Sequence, residues 1–549
     1  MSGRGHLFVI DGDLTRIACD AWLLPTDFRL SITKAWQDSL RPDDLGQPSS
    51  AGSTSRLLRS RAADGSPDDY VCRYVHSPKD GPAIFFGKIG GKGEAGIRRA
   101  IGEFFEMARP AALQRAASEG RRPLLALNAI ATGRGGMKNR RAAALRALIE
   151  RVDELLGEEF SDIDVVLVCW GPVAESAAQN IRRELMMEDL KSDPRWQFER
   201  QYHRRIHREA AKLANFLRSG DVSVFMGAGV SAGAGLKDWN SLLEEIGKQT
   251  APVTTRDELT SLHDNRDAAA LLEKRLRKVD KNLESVLRSK LRGSRFSLQH
   301  GILASLPCNE FITTNVDSLF ELAAQQPESP RLKLMPSNEG IRSGDRWLLK
   351  LHGSVNRPGT MVFTREHYID SFKSNRALVG LVQSMLLTRH MLFVGYGLRD
   401  EDFHELVHEV NAARGQHKGR RAMGTVLALF DDRTRSDLWQ QTVDIMPMRS
   451  ASSRDGGPVE FQAAVRDLER FLDLLGMLSA DSTRVTLHPA YRDGQPKDLK
   501  RLADHLQPLI SELSRTNSDT NGPAWDVMRQ ALMQLGADVG RGQASGSMQ

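Results

Sequence analysis

The chain has 549 residues, 40% hydrophobic and 27% charged, with a net charge of +6. That length exceeds what one core can serve and predicts about three or four units. The small charge excess, with no dense Lys/Arg block carrying aromatics, excludes an obvious nucleic-acid surface; the basic stretches RSRAAD and KNRRAAALRALIERV read as solvated helix faces. Cys19, Cys72, Cys169 and Cys308 stand far apart with no CxxC pair, so neither a zinc site nor a disulfide framework is expected. No run of about 18 apolar residues occurs, and the opening MSGRGHLFVIDGDLTR lacks a signal-peptide core. The expectation is a cytoplasmic protein in a reducing compartment.

The first region, 1–184, opens with the strand LFVI and then GDLTRIACDAWLLPTD. The polar stretches GQPSSAGSTS and ADGSPDD read as loop. AIFFGKI, a helix around IRRAIGEFFEMA, the buried strand LLALNAI and the Gly-rich turn ATGRGG follow. RRAAALRALIERVDELL is helical by spacing, with Leu145, Leu148, Ile149, Val152 and Leu155 on one face. DVVLVCW is a further strand, and the alternation predicts an α/β unit. Residues 185–220 read as a linker (MEDLKSDPRW) and a helix (WQFERQYHRRIHREAAKLANFLRSG).

From 221 to 455 a second series runs VSVFM, EFITT, WLLKL, HMLFV, TVLALF and VDIMP, with helices between most strands, which predicts a mostly parallel sheet. A helical block at 256–291 interrupts it. Residues 456–549 read as helical with a disordered tail.

VFMGAGVSAGAGLKDW, Val224–Trp239, is dense in glycine and alanine. It follows a strand and contains Gly227-x-Gly229-x-x-Ala232, one spelling of the dinucleotide fingerprint. Small residues there allow backbone N–H groups to approach a pyrophosphate, and a bare strand-to-helix turn accounts for the motif equally well. The next helix is expected to start at a capping box, Ser241-Leu-Leu-Glu244. No GK[ST] follows the glycines at P-loop spacing, here or in GKIGGKGEAG. Three further stretches end strands: FITTNVDSLFE, LLKLHGSVNRPG and MLFVGYGLRDEDF. Ligands of open α/β sheets bind beyond the carboxyl ends of strands, so all four could converge on one pocket. Taken singly, an Asn after a strand or a His before Gly is a turn or structural residue. Taken jointly, they point to chemistry.

GAGVSAGAGLKDW, TTNVD, LHG and GYGL, in that order over Ser223–Asn411, resemble the sirtuin superfamily. They look most like the sirtuin-like domains of bacterial anti-phage defence proteins, which hydrolyse NAD+. The resemblance implies that Asn315 orients the nicotinamide ribose and the attacking water, and that His352 acts on ribose hydroxyls or water. It implies that Gly227, Ala228, Gly229 and Ser231 cradle the diphosphate, and that Asp238 and Trp239 wall the nicotinamide. Thr314 would lie in the same pocket, Asp317 would bond the carboxamide, and Gly395 and Tyr396 would line the adenosine side. A zinc-binding cysteine set is absent from the sequence, so no metal is expected. Lys237, Trp239, Asn240 and Thr314 depart from the sirtuin pattern. These departures weaken a protein deacylase more than an NAD+ binder.

GDLTRIACDAWLLPTD and LNAIATGRGGMKNRRAAALRALIERV resemble the macro domains over Leu7–Trp170. Thr132, Gly133, Gly135 and Gly136 would form their phosphate loop, with Asp13 near an adenine. The Asn- and Gly-rich first loop of ADP-ribose hydrolases is replaced by PTDFRLSITKAW, so hydrolysis is not expected; the readings are binding of an NAD-derived nucleotide, or a plain scaffold or sensor of a phage protein. The two resemblances imply a macro-like α/β domain, a Rossmann-like sirtuin domain without zinc, and a C-terminal helical region. The expected function is antiviral NAD+ depletion of the abortive-infection kind, in a regulated homo-oligomer. The alternatives are a deacylase or ADP-ribosyltransferase, or a non-catalytic binding module. His203 and His207, and His404 and His408, are i,i+4 pairs, read as polar helix faces rather than metal ligands.

Overall fold

The computed structural model describes residues 3–50, 52–66, 68–78, 81–89, 92–129, 137, 140–326, 329–336, 339–374, 376–398, 401–415, 422–450, 457–515, 522–537 and 539. The chain divides into two compact units. One comprises Met1–Thr15, Cys19–Gln197 and Ala480–Gln549; the other comprises Arg16–Ala18 and Phe198–Ser479. The residues after 455, expected as one helical region, are thus shared between them.

The first unit has a seven-stranded sheet in the order Leu7–Asp11, Asp164–Cys169, Leu124–Asn128, Ala21–Thr26, Ala83–Lys88, Val71–Tyr74, Ala63–Asp64. The first five strands pair in parallel, and the last two pairings, on either side of Val71–Tyr74, are antiparallel. The Arg141–Gly157 helix buries the expected Leu145, Leu148, Ile149, Val152 and Leu155. Around the polar stretches read as loop, the chain forms a small antiparallel sheet of Ser31–Ile32, Arg56–Leu58 and Leu45–Pro48. Strands this short leave no apolar alternation to read. The expected linker is packed rather than extended. Asp193 and Trp196 are buried, Trp196 against His6 and under the Arg182 guanidinium. Val485 and Tyr491 join this unit's core. Asp493 caps the Arg141–Gly157 helix, accepting from the Ala142 and Ala143 N–H groups at 3.2 and 2.9 Å. Thr132, Gly133, Gly135, Gly136 and the 540–549 tail lie outside the described residues.

The second unit's sheet has seven strands: β1 (Val222–Met226), β2 (Glu310–Thr313), β3 (Leu332–Met335), β4 (Arg346–Lys350), β5 (His390–Val394), β6 (Gly424–Phe430) and β7 (Asp444–Arg449). Their order is β3-β4-β2-β1-β5-β6-β7, and every pairing is parallel. Residues of β1, β4 and β5 are buried throughout, as expected for a parallel sheet covered on both faces. The edge strand β3 is the one the sequence did not suggest; it is four residues long with a lysine inside. The chain winds outward from β1 through β2 and later returns to β5 on the other side of β1. The carboxyl end of β1 is therefore the topological switch point.

Helices Trp239–Gly247, Arg256–Ser261, Asn265–Arg277 and Leu283–Leu291 share a core of Leu242, Ile246, Leu272, Leu276 and Leu287 with Val355 and Phe363. The Pro458–Ser479 helix lies against His203–Arg218 and Leu298–Ser305. His207, expected on a polar face, is buried beside Phe198 and His203, because the apolar stripe of that helix includes it. His404 and His408 are exposed. Among the described residues no helix is long and apolar enough to cross a membrane.

Leu272 is fully buried in the helical block. Leu272→Ala is expected to cost about 2–5 kcal/mol, read as a lower urea midpoint.

Candidate active site

Four loops meet at the carboxyl ends of β4, β2, β1 and β5, joined in series by hydrogen bonds. Leu351 N–H donates to the Thr313 carbonyl at 2.9 Å, and Val355 N–H to the Val316 carbonyl at 2.8 Å. The Thr313 hydroxyl donates to the Met226 carbonyl at 3.0 Å. Gly227 N–H and Gly229 N–H donate to the Val394 and Gly395 carbonyls, each at 3.0 Å. The four sequence stretches therefore form one continuous rim.

The glycines explain how the last two loops meet. A Cβ at Gly227 would stand 2.5 Å from the Gly395 carbonyl oxygen, and one at Gly229 2.8 Å from the Gly395 Cα. Gly395 has φ +64°, and a Cβ there would stand 2.6 Å from the Val230 nitrogen. What comes close to the glycine loop is another loop. Its amides are largely spent: those of Gly227, Gly229, Val230 and Ser231 all have carbonyl acceptors.

Asn315 is anchored by both its amide hydrogens. Nδ2 donates to the Gly227 carbonyl at 3.0 Å and to Ser231 Oγ at 3.1 Å. A carbonyl accepts only, so the amide orientation is determined and Oδ1 is left as the acceptor. Ser231 was expected to face a diphosphate. Its side chain turns inward instead, 4% exposed, and its hydroxyl donates to Asp317 Oδ2 at 2.9 Å. His300 Nε2 lies 3.4 Å from Ser231 Oγ, and its Nδ1 lies 3.2 Å from Ser297 N and 2.8 Å from Ser297 Oγ. Asp317 Oδ1 accepts from Leu319 N–H at 3.0 Å. Below the turn, Lys350 Nζ donates to the Asp317 carbonyl and pairs with Glu321 at 2.7 Å, both side chains buried. Burial pushes the Glu321 carboxyl up, and Lys350 opposes it.

His352 follows β4, half-buried, with its ring edge-on to Tyr368 at 5.1 Å. The Arg266 guanidinium lies over Tyr368 at 5.3 Å, and Arg365 binds Asp264 and Asp267. The helical block thus braces the segment that follows His352. Asp238 and Trp239 stand apart from the Asn315 network. Asp238, rather than Ser241, caps the Trp239–Gly247 helix, accepting from the Ser241 N–H at 3.1 Å and hydroxyl at 2.7 Å. Trp239 stacks on Phe363 at 5.9 Å. The Tyr396 ring packs between Phe225 and Phe403, so it anchors its loop in the core. Thr314 is half-buried beside Asn315. Sequence reasoning missed His300 and Lys350. The available signals were a serine three residues before a histidine at a helix start, and a lysine inside an apolar strand. No cluster of three or more potential metal ligands occurs among the described residues.

Two outcomes test this site. Lys350→Met leaves Glu321 buried without its partner and is expected to cost about 3–5 kcal/mol in denaturant unfolding; adding Glu321→Leu recovers most of it. Burial lowers the His300 pKa to about 4 from the usual 6.5, with Asp317 acting the other way. The unfolded chain takes up this proton near 6.5 and the fold only near 4. Stability is therefore lost as pH falls through that window, by about 3 kcal/mol for this group. Comparing unfolding midpoints of the wild type and His300→Gln from pH 7 to 4.5 isolates that share, since Glu321 titrates equally in both.

A SIR2-like domain profile matches residues 309–445, from the residue before β2 to the start of β7. Over about 200 residues the chain is similar to proteins named NAD(+) hydrolase ThsA. It is 26% identical to that of Cytobacillus dafuensis, over 36% of this chain and 40% of the relative. It is 26% identical to that of Enterococcus faecium, over 36% and 42%, and 25% identical to that of Bacillus cereus strain MSX-D12, over 35% and 40%. The match thus spans about two fifths of these relatives' length. The matched residues hold Asn315, His352 and Gly395 and strands β2 to β6, so this part of the second unit is similar to a SIR2-like domain.

Proposed function

We propose that the second unit hydrolyses NAD+ to ADP-ribose and nicotinamide. The observation that carries this reading is the Asn315 amide, held at the switch point with Oδ1 left as an acceptor. The names of the similar proteins support it. In the reaction the bond between C1′ of the ribose and the nicotinamide nitrogen breaks, its electron pair leaving with nicotinamide. Water oxygen bonds C1′ and releases a proton. The ribosyl centre carries cationic character between these events, so acceptors that hold the ribose hydroxyls and the water favour the transition state. Asn315 Oδ1 supplies such an acceptor. His352, on the neighbouring strand end, takes up a proton from the water or a ribose hydroxyl. The Ala228 amide contributes to holding the diphosphate, and Gly395 shapes the adenosine side.

In this reading the protein acts in bacterial anti-phage defence by depleting NAD+, which kills or arrests the infected cell. Activity of that kind must be restrained in healthy cells. The first unit, macro-like in sequence, is assigned sensing of a phage product or an NAD-derived nucleotide, and the active form is a homo-oligomer.

Nicotinamide release from NAD+ by the purified full chain tests the reading. Asn315→Ala and His352→Ala are each expected to lower kcat by about 10²–10³-fold. Turnover that requires an acylated peptide would instead indicate a deacylase. NAD+ binding without release, in the presence of phage-infected lysate, would indicate a binding module.

A further inference from the structure

We propose that His300 is a positioning residue: its Nε2–H tautomer holds the Ser231 hydroxyl, and Ser231 in turn holds the Asn315 amide in its working orientation. This rests on the NAD+-hydrolase reading above.

A buried hydrogen-bonded chain links Ser297, His300, Ser231 and Asp317. At one end the Ser297 backbone N–H, which can only donate, lies 3.2 Å from His300 Nδ1. Nδ1 must therefore carry a lone pair, and the proton of an uncharged imidazole sits on Nε2. At the other end the Asp317 carboxylate, which only accepts, takes the Ser231 hydroxyl proton at 2.9 Å. The Ser231 oxygen is then left with lone pairs alone. One faces Asn315 Nδ2 at 3.1 Å and the other faces His300 Nε2 at 3.4 Å. The Ser297 N–H and the Asp317 carboxylate demand the same tautomer, and the single Ser297 hydroxyl proton divides between the Val230 carbonyl and His300 Nδ1, each at 2.8 Å.

A protonated ring would break this match, because Nδ1–H would oppose the Ser297 N–H. The surroundings keep the ring uncharged: His300 is 1% exposed, and burial depresses its proton affinity. Asp317 is the charged group that opposes this, and its carboxylate is already occupied by Ser231 and the Leu319 N–H. The Leu298–Ser305 helix is otherwise apolar enough that a histidine buried in it needs partners at both nitrogens. The polar chain also runs toward the site. Among the described residues, Asn315 keeps its amide in place through the Gly227 carbonyl and Ser231, and the terminal torsion of an asparagine is broad. Removing the Ser231 anchor frees the amide to turn, and small misplacements of a catalytic group cost large factors in rate.

Two measurements on the full chain test this. Selective ¹⁵N-histidine NMR, with His300 assigned by its loss in His300→Gln, is expected to show the Nε2–H tautomer with no titration between about pH 5 and 8. An Nδ1–H tautomer, or titration near the ordinary histidine value, would overturn the proposal. In nicotinamide release, His300→Ala is expected to lower kcat by about 10–100-fold with KM little changed. Ser231→Ala should match it, and the double variant should fall no further. His300→Gln, whose side-chain nitrogen can reach the place of Nε2 and donate to Ser231, should recover most of the rate. Wild-type kcat in a folded His300→Ala, or a His300→Gln as slow as His300→Ala at equal melting temperature, would also overturn it. Should the wild type release no nicotinamide even with phage-infected lysate, the hydrolase reading fails, and the NMR experiment still decides the tautomer and hence the anchoring of Asn315.

Discussion

The second unit depends on backbone meeting backbone where β1 and β5 end. Gly227 and Gly229 lie so near Gly395 that no side chain fits between them. Two peptide hydrogen bonds follow from that proximity. Once the strand ends are drawn together in this way, the Gly227 carbonyl faces Asn315 rather than solvent. Glycine serves here as the absence of an obstacle. The ligand-cradling role that the fingerprint suggests is secondary, because the loop's amides are mostly consumed in holding loops to one another.

From that contact a line of buried polar groups runs inward: Asn315, Ser231, Asp317, His300, Ser297. In a low-dielectric interior such a line is stable when each donor meets an acceptor, and it then allows few alternative arrangements. The Lys350–Glu321 pair supports it from below by fixing the Asp317 carbonyl. On the far side, His352 rests on Tyr368, which the helical block carries through Arg266 and Arg365. The two residues assigned to chemistry are thus held by different means: one by a hydrogen-bonded chain in the sheet, the other by rings and ion pairs outside it.

Much of this was legible in the sequence. The strands β1, β2, β4, β5, β6 and β7 announce themselves as apolar runs because a covered parallel sheet buries both faces. Asn315, His352 and Gly395 follow from where those runs stop. The edge strand β3 escaped because four residues bearing a lysine offer no period to detect. The inward turn of Ser231 escaped because a small-residue motif does not reveal which way its one hydroxyl points. His300 escaped because a single histidine in an apolar helix reads as core; only the contact with Ser231, far away in sequence, gives it a role. The Asp238 cap was misplaced by three residues, since Asp238 and Ser241 both suit a helix start and only geometry distinguishes them.

The first unit is assembled from stretches at both ends of the chain, with all of the second unit except Arg16–Ala18 between them in sequence. Val485 and Tyr491 complete its core, and Asp493 caps one of its main helices. During synthesis the ribosome must therefore emit the entire second unit before the last pieces of the first exist, a delay of roughly tens of seconds at ordinary translation rates. The second unit's sheet can be complete while the first unit's core still lacks Val485 and Tyr491. In a newly made molecule, the second unit has all its strands before the first has all its core residues.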